Sequence, residues 1–277
     1  MASEGKVVLI TGASSGIGKA CAEHLADHEF VTFAAARSLT EASFDNAGSF
    51  DGRLHGVRMD VDSDDSVQSG IEQVLTQSGR LDAVVNCAGF GIGGSIEDTS
   101  IDEAKAIFET NLFGILRVCR AALPIMRKQR SGRIVNVSSL AGRIGLPFQG
   151  SYSATKFAIE GLTEALRMEV KAFGIRVSLI EPGDFCTGFT ANRRVVGDPG
   201  DAYAEPCRRA VEAMESDEMG GASPERVARL LHRILRTASP RLRYTVGPLS
   251  QRLSAIGKPL LPSGFFEREV MKHYNVL

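Results

Sequence analysis

A glycine-rich turn directly after the first apolar run constrains this fold more than any other feature. The run Lys6–Thr11 (KVVLIT) is short, β-branched and apolar, which predicts a buried strand. Gly12, Gly16 and Gly18 follow in the pattern TGxxxGxG, and a helical pattern then continues to about Glu29. A strand, a glycine turn and a helix make a phosphate site, because glycine permits close backbone approach and the helix start supplies free N–H groups. The spacing differs from the GxGxxG form, so an ordinary glycine-rich turn remains the alternative.

The residues at the end of the second predicted strand, Phe30–Ala36, bear on which dinucleotide the chain would bind. When this architecture binds NAD, a carboxylate about 20 residues past the glycine turn grips the ribose diol. Here the position reads Ala36, Arg37 and Ser38, so a cation replaces the acid. Arg37 can stack on adenine or pair with a ribose phosphate. We therefore predict NADP(H) in preference to NAD(H), with a plain surface arginine as the alternative.

Strand and helix patterns alternate six times before residue 182. This rhythm predicts an α/β fold with a doubly wound parallel sheet (a Rossmann fold), helices on both faces and right-handed crossovers. We expect about seven strands in one domain over residues 1–277. The predicted strands after the first two are Leu54–Val61, Leu81–Asn86, Arg133–Ser139, Ile175–Ile180 and Leu242–Val246. The predicted helices after the first cover 64–77, 101–128, 152–173 and 223–237, and any helix within 39–53 is short.

Bulk composition excludes several classes of function. The chain has 277 residues, a net charge of -1 and no basic tract, so nothing indicates nucleic acid as a partner. No apolar run reaches the length of a membrane span, and the amino terminus lacks a secretory pattern, so we expect a cytoplasmic protein. The five cysteines form no CxxC pair and read as free thiols. His24 and His28 can share a helix face, but no carboxylate or cysteine pattern completes a metal site, so we predict none.

The stretch SLAGRIGLPFQGSYSATK brings together groups suited to proton transfer. Lys156 stands four residues after Tyr152, so both lie on one face of a helix. The loop-forming residues ahead of that helix can return Ser139 to the side of Tyr152. Because a nearby cation favours the phenolate, we expect Lys156 to lower the pKa of Tyr152. Such a phenol is a proton-transfer partner for a hydride donor, although YxxxK also occurs by chance.

Two further segments point to the same edge of the sheet. The turn Asn86–Gly89 (NCAG) follows the fourth predicted strand, where ligands bind in an open parallel sheet. Asn111 lies inside the long predicted helix, although asparagine is a mediocre interior helix residue. The usual interpretation is an exposed polar position; the neighbours Leu112 and Phe113 give as the alternative a side chain that faces inward, toward water or Lys156.

The motifs together resemble the short-chain dehydrogenase/reductase family. They are TGASSGIG at 11–18, NCAG at 86–89, Asn111, VSSLAG at 137–142, YSATK at 152–156 and PGDFCT at 182–187. They occur in the family's order and cover about the first 190 residues. Cys87 departs from the commoner NNAG, and we attach little weight to it.

The resemblance implies a role for each matching residue. Tyr152 would be the general acid in reduction and the base in oxidation. Ser139 would orient the substrate oxygen, and Ser138 is the alternative residue for that role. Lys156 would hold the nicotinamide ribose, and Asn111 would fix a water linking Lys156 to solvent. The implied cofactor residues are Gly12, Ser14, Ser15, Gly16, Ile17, Gly18, Arg37, Ser38, Asp60, Val61, Asn86, Ala88, Gly89, Tyr152, Lys156, Pro182, Gly183 and Thr187.

The segment 145–170 looks like the 17β-hydroxysteroid dehydrogenase-like branch of that family. This likeness implies a lipophilic secondary alcohol or ketone, such as a steroid or retinoid, and fold-level analogy does not fix the substrate. A small non-steroid ketone is one alternative. A cofactor-binding regulator or scaffold without turnover is another, and the intact Ser139, Tyr152, Lys156 and Asn111 argue against it. Epimerisation or dehydration of a nucleotide sugar would need a larger substrate domain.

The carboxyl-terminal third lacks these motifs. A charged segment at about 188–222, punctuated by proline and glycine, fits a mobile lid or a plain surface insertion, and we expect the lid. The tail at about 248–277 carries apolar residues that either close the pocket or form a subunit contact. By resemblance to the family we also expect a homodimer or homotetramer.

Overall fold

Parallel strand pairing builds the centre of the molecule. The computed structural model describes residues 5–44, 52–196 and 200–277. Its main sheet has seven strands, all joined in parallel, in the order β3-β2-β1-β4-β6-β7-β9. These strands are β1 (Lys6–Thr11), β2 (Phe30–Ala36), β3 (Leu54–Arg58), β4 (Ala83–Asn86), β6 (Gly132–Val137), β7 (Ile175–Pro182) and β9 (Arg243–Val246). A separate parallel pair joins β5 (Ile92–Gly93) to β8 (Arg194–Val195).

Helices cover both faces of the sheet. They are α1 (Gly16–Ala26), α2 (Asp64–Ser78), α3 (Ile101–Phe108), α4 (Gly114–Gln129), α5 (Gly150–Glu169), α6 (Asp201–Met219), α7 (Glu225–Arg236), α8 (Leu249–Gly257) and α9 (Ser263–His273). Alternate residues of β1 feed two cores, because successive side chains of a strand point to opposite faces. Val7 and Leu9 pack with α2, α4 and α5, whereas Val8 and Ile10 pack with α1 and α7. The predicted doubly wound α/β fold is confirmed.

Several predicted boundaries are wrong by a few residues, and strand pairing explains three of them. β3 ends at Arg58 because its partner β2 ends opposite, at Ala36. β4 begins only at Ala83, since the N–H of Leu81 donates to a side chain and not to a neighbouring strand. β7 continues to Pro182 because β9 pairs with it as far as Val246.

The helix predictions also needed correction. α1 ends at Ala26, three residues before Glu29, and Glu29 itself has a left-handed φ of +46°. The helix predicted over 101–128 contains a π-helical turn, Glu109–Phe113, between α3 and α4. The helix of Tyr152 ends at Glu169, before a short 3-10 turn at 171–173.

Parts of two predictions fall on residues outside the described ranges. Within 39–53 the structure has a 3-10 turn at Glu41–Phe44, and residues 45–51 lie outside the description. The segment at 188–222 contains β8 and α6, with 197–199 outside the description. The tail at 248–277 forms α8 and α9, which the sequence pattern did not predict.

Candidate active site

A cavity of about 730 Å³ lies along the carboxyl ends of the central strands. This is the edge at which open parallel sheets bind ligands. Ser138 and Ser139 line it. So do these residues of the expected cofactor set: Gly12, Ser14, Ser15, Gly16, Ile17, Gly18, Arg37, Ser38, Asp60, Val61, Ala88, Gly89, Tyr152, Lys156, Pro182, Gly183 and Thr187. Residues predicted from separate motifs therefore share one continuous surface.

The glycine turn leaves room that larger residues would fill. Gly12 has a φ of +66°, a left-handed conformation that favours glycine. A Cβ on Gly18 would lie 2.3 Å from the carbonyl oxygen of Gly12, so even alanine would displace the turn. α1 begins at Gly16, and the side chain of its cap residue Ser15 makes no capping hydrogen bond. The N–H groups and positive dipole end of α1 thus suit a pyrophosphate, so a dinucleotide fits this end of the cavity.

Cationic and acidic groups meet at the end of β2. Arg37 and Ser38 are exposed and line the cavity. Burial raises the pKa of Asp62, while Arg37 acts on it in the opposite direction. Asp60 accepts a hydrogen bond of 3.1 Å from the backbone N–H of Asp62, which fixes its carboxylate at the cavity wall. The only formal charge at the tip of β2 itself is the guanidinium.

The proposed proton-transfer groups converge at the start of α5. Ser139 follows β6 by two residues and caps a 3-10 turn by accepting a hydrogen bond from the N–H of Ala141. Its hydroxyl donates to the carbonyl oxygen of Pro182 at 3.5 Å and lies close enough to the phenol of Tyr152 to act on the pKa of that group. Tyr152 is 9% exposed, and the ring of Phe189 lies 5.7 Å from its ring. The contact with Tyr152 favours Ser139 over Ser138 as the substrate-orienting hydroxyl.

Lys156 is buried one helical turn from Tyr152, as its spacing predicted. Its Nζ atom donates to the carbonyl oxygen of Val137 at 3.0 Å and lies 5.6 Å from the centre of the Tyr152 ring. Burial lowers the pKa of Lys156 to about 8, against opposing effects of Cys87 and Glu160. A lysine in this state is close to losing its charge just above neutral pH.

The expected effect of Lys156 on the Tyr152 phenol is not found. Burial is the largest cause that raises the pKa of Tyr152 to about 12, and the charges of Glu218 and Asp184 act in the same direction. The hydroxyl of Ser139 and the charge of Arg193 act on this pKa in the opposite direction and are outweighed. The prediction of a lowered pKa was wrong for the protein alone, because desolvation of the phenolate exceeds the attraction of nearby cations.

Asn111 faces inward, but its amide contacts differ from the expected ones. It is 1% exposed within the π-helical turn. Its Oδ1 accepts from the N–H of Phe90, and its Nδ2 donates to the Phe90 carbonyl oxygen and to the Thr155 hydroxyl. Both amide protons are thereby used, so this side chain holds the loop after β4 against α5.

Asn86 does not line the cavity, in contrast to its expected place beside the adenosine. It is 2% exposed at the end of β4, and its Nδ2 donates to Asn136 of β6 at 2.8 Å. Asn136 in turn donates to the hydroxyl of Thr163 in α5. Asn86 therefore braces the sheet beneath the site, and the following residues of the NCAG turn reach the cavity.

The segment at 188–222 and the tail both contribute residues to the cavity wall, although neither segment carries one of the sequence motifs. Gln149 is buried and contacts Met214 of α6, while Tyr274 reaches the wall from the end of α9. Arg193 and Glu218 form a buried ion pair, of which Glu218 lines the cavity. Their positions depend on long-range packing, so local sequence patterns carried no signal for them.

Asp184 follows the PG turn at the end of β7 and was also missed. Burial is the largest cause that raises its pKa to about 6, and the neighbouring carboxylates of Asp217 and Glu218 act in the same direction. Gln251 of α8 donates to its carboxylate. Asp184, Asp217 and Glu218 all line the cavity, so this end of it is acidic.

Comparisons with known proteins agree with this geometry. The family model described as short chain dehydrogenase matches residues 6–195. The chain belongs to the short-chain dehydrogenase family. It is 38% identical over 273 residues to a 3-ketodihydrosphingosine reductase of Bacteroides thetaiotaomicron, with 98% of each chain covered. It is 35% identical over 258 residues to 17-beta-hydroxysteroid dehydrogenase type 1 of Mus musculus, covering 86% of this chain and 72% of that protein.

A solved relative extends the comparison to a bound cofactor. A short chain dehydrogenase/reductase from Burkholderia phymatum in complex with NAD has a TM-score of 0.79 and 29% identity, covering 93% of this chain and 95% of the other. As a short-chain dehydrogenase, the chain is an oxidoreductase that acts on CH–OH or keto groups of a small molecule with a nicotinamide cofactor. Within the described ranges, every helix is too short or too polar to cross a membrane.

Proposed function

We propose that this short-chain dehydrogenase reduces a lipophilic ketone with NADPH, using Tyr152 as the general acid. The observation that carries the proposal is the convergence of the Tyr152 phenol, the Ser139 hydroxyl and the buried Lys156 on one cavity. The same cavity continues to the glycine turn, where a dinucleotide fits. Hydride transfer to a carbonyl needs one proton at the oxygen, and a positioned phenol supplies it.

The protonation state of Tyr152 suits the role of general acid. With a pKa of about 12, the phenol keeps its proton throughout the neutral range. A protonated group is ready to donate to a ketone oxygen, whereas oxidation of an alcohol would need the phenolate. Ser139 holds that oxygen beside the phenol in this proposal, since its hydroxyl already contacts Tyr152.

Lys156 and Asn111 support the site in different ways. Lys156 uses one N–H on Val137 and has further donors for the nicotinamide ribose hydroxyls. The nicotinamide, when bound, supplies the hydride. Asn111 acts as a positioning residue, because it ties the loop at Phe90 to Thr155 on the helix of Tyr152.

A preference for NADP(H) over NAD(H) rests on the tip of β2. Arg37 and Ser38 are exposed there, and both line the cavity. An exposed guanidinium can pair with a ribose phosphate, and no carboxylate of β2 is available to grip a ribose diol.

Within lipophilic ketones, we propose a long-chain amino ketone in preference to a steroid or retinoid. The bacterial relative named 3-ketodihydrosphingosine reductase matches nearly the whole chain. Asp184 supports the choice, because burial and neighbouring carboxylates raise its pKa to about 6 and so destabilise its charge. A substrate ammonium beside this acidic wall would relieve that cost, whereas a neutral steroid ketone would not.

A panel of ketones followed by NADPH absorbance tests the proposal. It contains a long-chain 2-amino-3-ketone, its N-acetyl analogue and a steroid ketone. We expect the free amine to have the highest kcat/KM, and Asp184→Asn to remove its advantage over the N-acetyl analogue. Equal rates for the amine and its N-acetyl analogue would contradict the amino-ketone assignment. Failure of all ketones with both NADPH and NADH would contradict the reductase itself.

Three other expectations remain proposals. The segment at 188–222 acts as a lid, which the cavity contacts of Phe189, Asn192 and Met214 support. For the tail, which the sequence left open between closing the pocket and forming a subunit contact, we propose closure, since Tyr274 reaches the cavity wall. A cytoplasmic homodimer or homotetramer remains the expected state of the protein.

A further inference from the structure

Three histidines meet on the outer side of α1 and α7, away from the cavity. They are His24 in the last turn of α1, His28 in the turn that follows, and His232 in α7. One ring nitrogen from each lies within 4.8 Å of the other two. Sequence reasoning predicted no metal site here, because His232 is 208 residues from His24 and only the packing of α7 on α1 brings it in.

The separation of two of these nitrogens matches a shared ligand sphere. His24 Nε2 and His232 Nδ1 are 3.3 Å apart. Two nitrogens bound tetrahedrally to zinc at about 2.0–2.1 Å lie about 3.3–3.4 Å from each other. The ring nitrogen of His28 lies within 4.8 Å of the other two nitrogens. Because His28 is exposed on a turn, a small rotation of its side chain can bring this nitrogen to the N–N distance of about 3.3–3.4 Å that a zinc ion requires.

The tautomer of His28 is fixed by the backbone. Its Nδ1 lies 2.7 Å from the carbonyl oxygen of His24. A carbonyl oxygen can only accept, so Nδ1 carries the proton and Nε2 keeps its lone pair. Ligand histidines in proteins usually donate their other ring N–H to a carbonyl or carboxylate in this way.

We propose that His24, His28 and His232 bind one divalent transition-metal ion of the zinc type. Solvent would complete a four-coordinate sphere, since imidazole is a preferred ligand for zinc, copper and nickel. The proposal does not depend on the substrate or cofactor of the cavity.

The charges around the three histidines are compatible with a cation. Arg229 acts on His24 and Arg236 acts on His232. Each of these arginines is paired with a carboxylate, at 3.6 Å from Glu225 and 3.2 Å from Glu29 respectively. Asp27 also acts on His24 with its negative charge. The carboxyl-terminal end of α1 adds the negative end of a helix dipole.

Two of the three imidazoles, those of His24 and His232, are biased toward the neutral form. Burial is the main cause that lowers the pKa of both His24 and His232, and the neighbouring histidines lower it further. Neutral imidazoles donate their lone pairs to a metal without first losing a proton. The ring of Phe30 packs edge-on against His232 at 5.6 Å, which restricts that side chain.

The consequence of binding would be structural. A metal held by residues of both helices would pin α1 to α7 and stabilise the folded state, increasingly as the free metal concentration rises above the Kd. His24 lies eight residues beyond Gly16, about 12 Å along the helix from the glycine turn. The ion is therefore too far away to take part in hydride transfer.

A cobalt titration with histidine variants tests the site. Full-length protein is treated with a chelator, dialysed and titrated with Co²⁺, whose visible absorption reports tetrahedral coordination, and then with Zn²⁺ by calorimetry. We expect one ion per chain, intense Co²⁺ bands that Zn²⁺ displaces, and a higher Tm with Zn²⁺. His28→Gln, at an exposed position that should not affect folding, and His232→Gln should each weaken Zn²⁺ binding by at least about tenfold.

The control is His273→Gln. His273 is an exposed histidine at the end of α9 in the tail, and its ring pairs with Asp217 of α6. It should bind Zn²⁺ as the unaltered protein does. A plain hydrogen bond between His24 and His232 is the rival explanation of the 3.3 Å distance. Zn²⁺ affinity that is the same in His28→Gln as in the unaltered protein, or absence of tetrahedral Co²⁺ bands, would overturn the proposal.

Discussion

Replacing Lys156 by methionine should change how stability depends on pH. The pKa of this lysine falls from the ordinary value of 10.5 to about 8 in the folded protein, chiefly through burial. Between these values the unfolded chain holds a proton that the folded chain has released. Stability of the unaltered protein must therefore rise with pH across this window, and this contribution is absent from Lys156→Met.

The magnitude follows from the size of the shift. Each pKa unit corresponds to about 1.4 kcal/mol, so the full window is worth on the order of 3 kcal/mol. From pH 7 to about pH 9.5 the free energy of unfolding of the unaltered protein should gain about 2 kcal/mol relative to Lys156→Met. Methionine keeps most of the length of the side chain, so the comparison isolates the titration from gross repacking.

Urea unfolding of both proteins at several pH values measures this difference. Effects of other titrating groups cancel between the two curves when they are independent of residue 156. Lys171→Met, at an exposed position, is the matched control and should run parallel to the unaltered protein. Parallel curves for Lys156→Met as well would refute the argument that this ammonium is buried at a cost.

Two further substitutions test the cofactor end of the cavity. Arg37→Asp should lower the ratio of kcat/KM for NADPH to kcat/KM for NADH by at least about tenfold, since hydrogen bonds to charged groups contribute about 1.5–3 kcal/mol. If the ratio stays unchanged, the guanidinium does not have the role assigned to it. Gly18→Ala should weaken NADPH binding, measured by fluorescence titration, because its Cβ would lie 2.3 Å from the Gly12 carbonyl oxygen. Gly161→Ala, where a Cβ meets nothing within 4 Å, should bind NADPH normally, and equal affinity in both variants would contradict the steric argument.

Local spacing was sufficient to predict which residues lie together at the centre of the candidate site. Tyr152 and Lys156 are one helical turn apart, so their common face follows from helix geometry alone. Ser139 emerges just past the carboxyl end of β6, and this end of a parallel sheet faces the site. Arg37 could likewise be placed, because β2 was predicted with its correct end at Ala36.

Properties that depend on tertiary packing could not be predicted in this way. The pKa of Tyr152 was expected to fall and instead rises, because the degree of burial is set by Phe189 and other residues distant in sequence. Asn86 follows its strand as expected, yet its side chain turns into the sheet toward Asn136. The acidic wall at Asp184 arises only when α6 and α8 pack against the end of β7.

Tyr152→Phe gives the most direct test of the central claim that the phenol delivers the proton. The variant keeps the ring and its contacts and removes only the hydroxyl. In single-turnover reduction of the preferred ketone by NADPH, we predict a loss of about 10²–10⁴ in rate, with the Kd for NADPH nearly unchanged. A variant that reduces the ketone at close to the original rate would contradict the account.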